Sequence, residues 1–273
     1  MRWLSVRVVP AHERDAALAV LFAAGAQGVH EDGLAFVTHF PPETDVRGIA
    51  IAVRDADPDA EVTIGRASDT DWSEAWKGLL STQTVGSLTI APPWLADGLD
   101  PARTIVIDPG MAFGTGDHPT TRSVARLMQR LPVSGAKVAD LGAGSAVLSI
   151  AAAKLGARNV AAIELDHDAI GNATENVERN AVSSVVHVIE GDAKILLPLV
   201  APVDLILANI VSSVHVELLP VMAEALVPRG RLVLSGILAD ERATMTGVLE
   251  SSGWVIDDED SEDIWWSATV SRR

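Results

Sequence analysis

The stretch VADLGAGSAVLSIAAAKLGARNVAAIEL, residues 138–165, decides the fold. Val138–Leu141 is a short apolar run fit for a buried strand and Val147–Leu155 reads as a helix. Gly142 and Gly144 stand at the junction, where backbone approaches a ligand and takes torsions that side chains forbid. Asn159–Leu165 is a second strand. Glu164, near its C-terminal end, follows Gly142 by 22 residues, where a carboxylate accepts hydrogen bonds from both hydroxyls of a ribose. The order of strand, glycine turn, helix, strand and acid specifies a nucleoside-containing cofactor.

A dinucleotide site needs G-x-G-x-x-G, whose third glycine lets the helix pack close beside a pyrophosphate. Counting from Gly142, that position is Val147, a β-branched residue. The run resembles instead the looser acid-x-G-x-G-x-small turn of S-adenosylmethionine-dependent methyltransferases, with Asp140, Gly142, Gly144 and Ala146 in register.

Outward from this unit the alternation continues. A helix runs from Pro119 to Leu131. Strands at Lys137–Leu141, Asn159–Leu165 and Val185–Glu190 are separated by helices at Ser145–Leu155 and Asp168–Asn180. A strand over Asp204–Ile210 precedes a helix over Val214–Leu226, and Arg231–Gly236 precedes a helix over Asp240–Ser251. Such alternation implies an α/β, doubly wound, Rossmann-like sheet. Trp254–Asp257 and Ile264–Ser271 read as strands with no helix between, so the last strand is expected to be antiparallel. Ligands of such sheets sit beyond the carboxyl ends of the strands, where Gly142, Glu164 and Asn209 all fall. Asn209, polar at the tip of the apolar run LILANIV, suits a group facing cofactor and substrate; it also suits a helix N-cap, which Ser212 or Ser213 can supply instead.

Toward the N-terminus, Trp3–Val9 alternates as a strand, Glu13–Ala24 has helical periodicity, and Gly28–Phe40 holds two short apolar runs around Asp32-Gly33. Asp45–Arg54 is a second helix and Ala60–Arg66 a strand. The β-α-β-β-α-β order predicts a small α+β domain of the ferredoxin-like split-sandwich type over residues 1–67. Asp69–Leu80 places Trp72, Trp76 and Leu80 on one helical face, a stripe fit for packing between domains. The expected division is therefore 1–67, a linker helix over 68–82, and a cofactor-binding domain over 83–273. Ser87–Ala91 adds a strand before the punctuation of Pro92-Pro93.

Composition narrows the function. The 273 residues are 48% hydrophobic, enough for a sizeable core. There is no cysteine, which excludes disulfides, thiolate catalysis and cysteine-ligated zinc. No metal is called for. The N-terminal residues reach charge and proline too soon for a signal peptide, and no stretch approaches a membrane span, so a cytoplasmic protein is the simplest reading. A net charge of −16 disfavours direct binding to nucleic acid and favours encounter with a basic protein. The acid run DDEDSED, Asp257–Asp263, reads as a solvated loop, with a docking patch as the alternative. Oligomeric state is not legible.

The most specific motif is DPGMAFGTGDHPTT, Asp108–Thr121. Gly114-Thr115-Gly116 ahead of Pro119 is a hinge-like turn capped for helix entry, as an active-site lid needs. With the glycine turn, ANIV (Ala208–Val211), LSGIL (Leu234–Leu238) and DWSEAW (Asp71–Trp76), it makes the whole chain resemble the bacterial methyltransferases of ribosomal protein L11, a class I S-adenosylmethionine-dependent family. The resemblance implies that residues 1–67 recognise a basic ribosomal protein and that the C-terminal domain transfers methyl groups to its lysine side chains or N-terminal amine. It implies cofactor contacts at Thr121, Gly142, Glu164 and Asn209, with Asp140 and Gly144 in the turn, and closure of Phe113, Gly114, Thr115 and Gly116 over the methionine end. Asn209 would also adjoin the methyl acceptor. His118 is a secondary general-base candidate against a helix-entry packing role.

The sequence departs from the family pattern at Ala143 and Ala146, in place of cysteine and glycine, and at Asp117 in the lid. Ala146 puts a methyl group where backbone passes close to cofactor, so cofactor affinity is the property expected to change. Two other readings stand: a non-catalytic S-adenosylmethionine-sensing or ribosome-binding module, and a nicotinamide-dependent oxidoreductase, against which Val147 argues.

Overall fold

The structure, a computed structural model, describes residues 3–26, 29–32, 35–66, 81–108, 114 and 116–273. The chain divides into two compact units, Met1–Leu79 and Leu80–Arg273. The helix expected over Asp69–Leu80, with Trp72 and Trp76, lies outside the described residues.

In the first unit β1 (Leu4–Val9), α1 (Arg14–Ala23), β2 (His30–Asp32), β3 (Ala35–Phe40), α2 (Val46–Ala56) and β4 (Glu61–Arg66) follow in turn. The strands lie in the order β2-β3-β1-β4, every neighbour antiparallel. Alternation in β1 sends Val6 and Val8 into a core with Leu21, Phe36, Phe40 and Val53. Asp45 caps α2 by accepting from the Gly48 amide at 3.0 Å. Buried Asp57, just past the helix, accepts from the amides of Ala11 at 2.7 Å and His12 at 3.2 Å. Burial works to raise this carboxyl, but those amides, with that of Glu13, outweigh it and hold it below the ordinary carboxylate range.

The second unit opens with a small sheet of β5 (Gln83–Val85), β6 (Leu88–Ala91) and β7 (Thr104–Val106). Only β6 is evident from the sequence, since three-residue strands leave no readable period. Then come α3 (Pro119–Met128), β8 (Lys137–Leu141), α4 (Val147–Lys154), β9 (Asn159–Glu164), α5 (His167–Arg179), β10 (Val186–Glu190), α6 (Ala193–Val200), β11 (Val203–Asn209), α7 (Ser212–Ala225), β12 (Leu226–Leu238), α8 (Arg242–Ser251), β13 (Trp254–Glu262) and β14 (Trp265–Arg272). Helix α6, with Pro198 inside it, is, like β5 and β7, an element the periodicity does not announce.

Strands β8 to β14 form one seven-stranded sheet in the order β10-β9-β8-β11-β12-β14-β13. The first five run parallel; β14 pairs antiparallel with both β12 and β13. The order reverses between β8 and β11, so a crevice opens beyond their carboxyl ends. Apolar residues pack on both faces of the sheet, one cluster joining Val138, Ile150 and Leu207 and the other joining Leu141, Ile206, Met222 and Trp254. Strands buried on both faces are continuously apolar, which is why this sheet is readable from sequence.

The acid run requires a correction: it is not a solvated loop. Asp257–Glu262 lies in β13, and its inward carboxylates meet arginines of α3 and of the turn that follows it. Arg122 pairs with Glu262, Arg126 with Asp260 at 2.7 Å and Glu262 at 2.6 Å, and Arg130 with Asp258 at 2.9 Å. On the opposite face Glu259 accepts from Arg242 at 2.9 Å and from Trp266 Nε1 at 2.7 Å. A run of like charge resembles a loop when the complementary arginines stand some 130 positions away in the chain.

Candidate functional site

The glycine turn is built on two facts of backbone geometry. Gly142 has φ +69°, and a Cβ there would lie 2.7 Å from Ile210 Cγ2. Its amide and that of Ala143 both donate to the Ile163 carbonyl, at 2.9 and 3.1 Å, which ties the turn to β9. Glu164 then closes the unit: Oε2 accepts from the Gly144 amide at 2.7 Å and Oε1 from the Asp166 amide at 2.9 Å. Two backbone donors hold this carboxylate at the tip of β9 and leave it further lone pairs for hydroxyl donors.

Asp140 plays another part. It is 1% exposed and accepts from Ser149 Oγ of α4 at 2.7 Å. Burial pushes its carboxyl up to about 6, against the Ser149 hydrogen bonds and with the repulsion of Glu164 adding to the rise. It supports the turn from within the core. Ala146 is left-handed, with φ 65° and ψ 19°, and fully buried. It belongs to the apolar cluster that also holds Val147 and Ile150.

A cavity of about 510 Å³ lies beyond the strand ends. Gly142, Glu164, Leu165, Gly191, Asp192 and Ile210 are among its lining residues. Gly191 and Asp192 were not singled out by sequence, though they directly follow β10, the position in this topology where a ligand contact is expected. Asp192 caps α6, accepting from the Lys194 amide at 2.8 Å. Lys194 and Glu217, both lining residues, form an ion pair of 2.6 Å from α6 to α7. Asn209 ends β11 opposite Ser235 of β12, immediately before Ile210.

The lid segment is anchored at both ends. At its start, asparagines of α5 and just beyond it receive the backbone: Asn180 Oδ1 accepts from the Val106 amide at 2.8 Å while its Nδ2 donates to the Val106 carbonyl at 2.7 Å. Asn176 Oδ1 accepts from the Asp108 amide at 2.9 Å, and Asn172 donates to the Asp108 carbonyl at 3.1 Å. Asn176 Nδ2 also donates to the Ser145 carbonyl at 3.2 Å, so one side chain spans lid and glycine turn. Ser145 Oγ donates to the Gly114 carbonyl at 2.6 Å. These three asparagines were missed; their spacing of four residues is the signal that was available.

At the far end, His118 caps α3, with Nδ1 2.7 Å from Thr120 Oγ1 and its ring edge-on to Trp265 at 5.1 Å. Burial, with Arg122 nearby, lowers its pKa, and the contacts are those of the helix-entry role. Asp117 Oδ1 accepts from Gln83 Nε2 at 3.1 Å, and Arg122 donates to the Asp117 carbonyl. Thr121 is 1% exposed and its Oγ1 has no hydrogen-bond partner, an unspent polar group beside the lid. Gly116 is within the described segment at φ +92°; Phe113 and Thr115 lie outside the described residues.

Residues 3–273 match the family described as Ribosomal protein L11 methyltransferase (PrmA). A ribosomal protein L11 methyltransferase of Synechococcus sp. (strain RCC307) is 38% identical over 209 residues, spanning 75% of this chain and 69% of that one. The same-named protein of Bacillus cytotoxicus is 35% identical over 259 residues, 89% of this chain and 82% of that one. A crystal structure of ribosomal protein L11 methylase from Lactobacillus delbrueckii subsp. bulgaricus superimposes with a TM-score of 0.63 at 30% identity, covering 71% of this chain and all of that one.

Proposed function

Since the chain belongs to the ribosomal protein L11 methyltransferase family, we propose that it transfers methyl groups from S-adenosylmethionine to amines of that ribosomal protein, lysine side chains or the N-terminal amine. The observation that carries the cofactor assignment is Glu164, fixed at the cavity by the Gly144 and Asp166 amides. The residues present fit the cofactor: the carboxylate suits ribose hydroxyls, Gly142 lines the cavity with backbone alone, and Thr121 Oγ1 is buried without a partner. Glu164, Gly142, Gly144 and Asp192 would hold the nucleoside, and Thr121 with the Gly114–Gly116 turn the methionine end. Asp140 contributes by bracing the turn.

When bound, S-adenosylmethionine supplies a methyl group on a sulfonium that departs as a neutral thioether. The work left to the chain is positioning and removal of a proton from the acceptor amine. An unperturbed lysine titrates near ~10.4, so deprotonation at pH 7 costs about 4.6 kcal/mol. Desolvation in the cavity lowers that cost. Asn209, at the tip of β11, offers a side-chain carbonyl to orient the lone pair. His118, engaged with Thr120 and Trp265, is the weaker base candidate on its contacts.

The first unit, with its split order β2-β3-β1-β4 and two helices, supports reading residues 1–67 as a ferredoxin-like domain that recognises the substrate. The acidic chain and basic substrate favour encounter, in the cytoplasm, without direct contact to nucleic acid. The test is transfer of labelled methyl from S-adenosylmethionine to purified L11, with mass spectrometry of the product. Cofactor binding by calorimetry without transfer would refute the proposal in favour of a sensing module.

A further inference from the structure

One buried titratable side chain has no part in the chemistry above. His215, in the first turns of α7, is fully buried, and its Nε2 lies 2.9 Å from the Ser235 carbonyl. Its Nδ1 is buried and without a hydrogen-bond partner. The proton therefore belongs on Nε2, the one ring nitrogen that meets a carbonyl in hydrogen-bond geometry. Burial disfavours the imidazolium and lowers the pKa to about 4, against the raising influence of the Ser235 and Ile210 backbone, so the ring is a neutral donor at pH 7.

Ser235 is more than a routine strand residue. Its carbonyl also accepts the Ile210 amide at 3.2 Å. Its hydroxyl shares a hydrogen bond with Ser267 Oγ at 2.6 Å and reaches the Thr120 carbonyl at 3.4 Å. It sits where the pairing of β12 with β14 slips between Leu234 and Ile237. The irregularity lies on the β14 side of the strand, while the Ser235 carbonyl faces β11 and the Ile210 amide. Next to it Gly236, at φ +80°, would put a Cβ 2.5 Å from the Ile210 carbonyl oxygen. The turn carrying Asn209 is thus set by this one irregular point of β12.

We propose that His215 is a positioning residue for methyl transfer: by donating Nε2–H to the Ser235 carbonyl it fixes the acceptor of the Ile210 amide, and with it the Asn209–Val211 turn. The same serine's hydroxyl, bonded to the Thr120 carbonyl, joins that turn to the helix that follows the lid. The role rests on the reading of Asn209 as the residue that orients the acceptor amine.

The test compares His215→Leu, which removes the donor at similar volume, with His215→Gln, whose amide nitrogen reaches the place of Nε2. In the full-length protein His215→Leu should melt cooperatively, and amide exchange over residues 208–212 should quicken about tenfold. Its kcat should fall about five- to tenfold, the loss of one buried hydrogen bond, with KM for S-adenosylmethionine unchanged within about twofold. His215→Gln should restore both. Wild-type exchange and kcat in a folded Leu variant, or no restoration by Gln, overturns the proposal. Should the Leu variant fail to fold, imidazole nitrogen shifts in the unaltered protein decide: a proton on Nδ1 at pH 7.5 overturns the assignment. A wild-type protein that transfers no methyl group, or an Asn209→Ala variant at full activity, refutes the proposed function instead, and the exchange rates still judge His215.

Discussion

Gly236→Ala is the substitution that tests how closely the site depends on one backbone contact. At φ +80° an alanine is left-handed, which costs about 1–2 kcal/mol. The added Cβ would lie 2.5 Å from the Ile210 carbonyl oxygen, 2.9 Å from its carbon and 3.0 Å from its nitrogen. All three are backbone atoms, so no rotamer relieves the overlap. To reach ordinary contact the turn must retreat by roughly 1 Å, and a misplacement of that size costs on the order of 100-fold in rate. For a unit of this size 1–2 kcal/mol corresponds to about 2–8 °C of melting temperature. The variant should therefore show a modest thermal shift and a fall in kcat of about 30- to 100-fold in the labelled-methyl assay. Gly247→Ala, in α8 with nothing within 4 Å of the added carbon, is the control and should be neutral or slightly stabilising. A Gly236→Ala protein with kcat within threefold of wild type, a difference of about 0.7 kcal/mol, would refute the dependence on Ile210.

Three further outcomes follow from the same unit. Asp140 titrates higher folded, about 6, than unfolded, so its contribution favours the native state fully below the unfolded value near ~3.8 and is lost as pH rises through about 6. Asp140→Asn should thus melt higher than wild type at pH 8, by about 2–3 kcal/mol in stability, with the gap about halved near pH 5 and closed only below the unfolded value near ~3.8; an equal gap at pH 8 and pH 5 would contradict the burial of a charge. Ala146→Gly relieves a left-handed alanine at about 1–2 kcal/mol but gives up a buried methyl worth about 0.8 kcal/mol and adds unfolded-chain entropy. Stability should change by less than about 1 kcal/mol, and calorimetry should give an S-adenosylmethionine Kd within about twofold of wild type; a tenfold tightening would put the methyl against the cofactor after all. Arg126→Gln removes the arginine that meets two carboxylates and should cost about 1–3 kcal/mol. Because Glu262, despite burial that works to raise it, is held low by Arg122 and Arg126, the ladder's share of stability is present above the ordinary glutamate range and lost as pH falls through the depressed value. The melting difference between Arg126→Gln and wild type should therefore shrink in acid, and a constant difference would refute it.

What could be read in the sequence was whatever repeats locally. The strands buried on both faces, Val138–Leu141 and Leu205–Ala208, and the glycine turn with its acid are legible because each is contiguous and made of residues with few other uses. Helix α6 was missed because Ile195 and Leu199 are exposed apolar residues and blur its face. The acid run was misread because its partners, Arg122, Arg126 and Arg130, are far away in the chain. The asparagine column of α5 was passed over because asparagine more often marks solvent than backbone capture. Asp140 and Ala146 occupy the turn as the motif says, but their side chains point into the core, and a motif written in letters carries no directions.

The ladder between α3 and β13 works as a vernier. Four residues of helix advance about 6.0 Å, and two residues of strand about 6.7 Å, so Arg122 and Arg126 count along one scale while Glu262 and Asp260 count along the other, and Arg130, in the turn past α3, reaches Asp258. The scales part by about 0.7 Å at each rung, which the length of an arginine absorbs over three rungs and absorbs less well at each one added. Lengthening α3 by a turn with another arginine should gain little, whereas moving Arg122 or Arg126 by a single position would swing it about 100° off the scale.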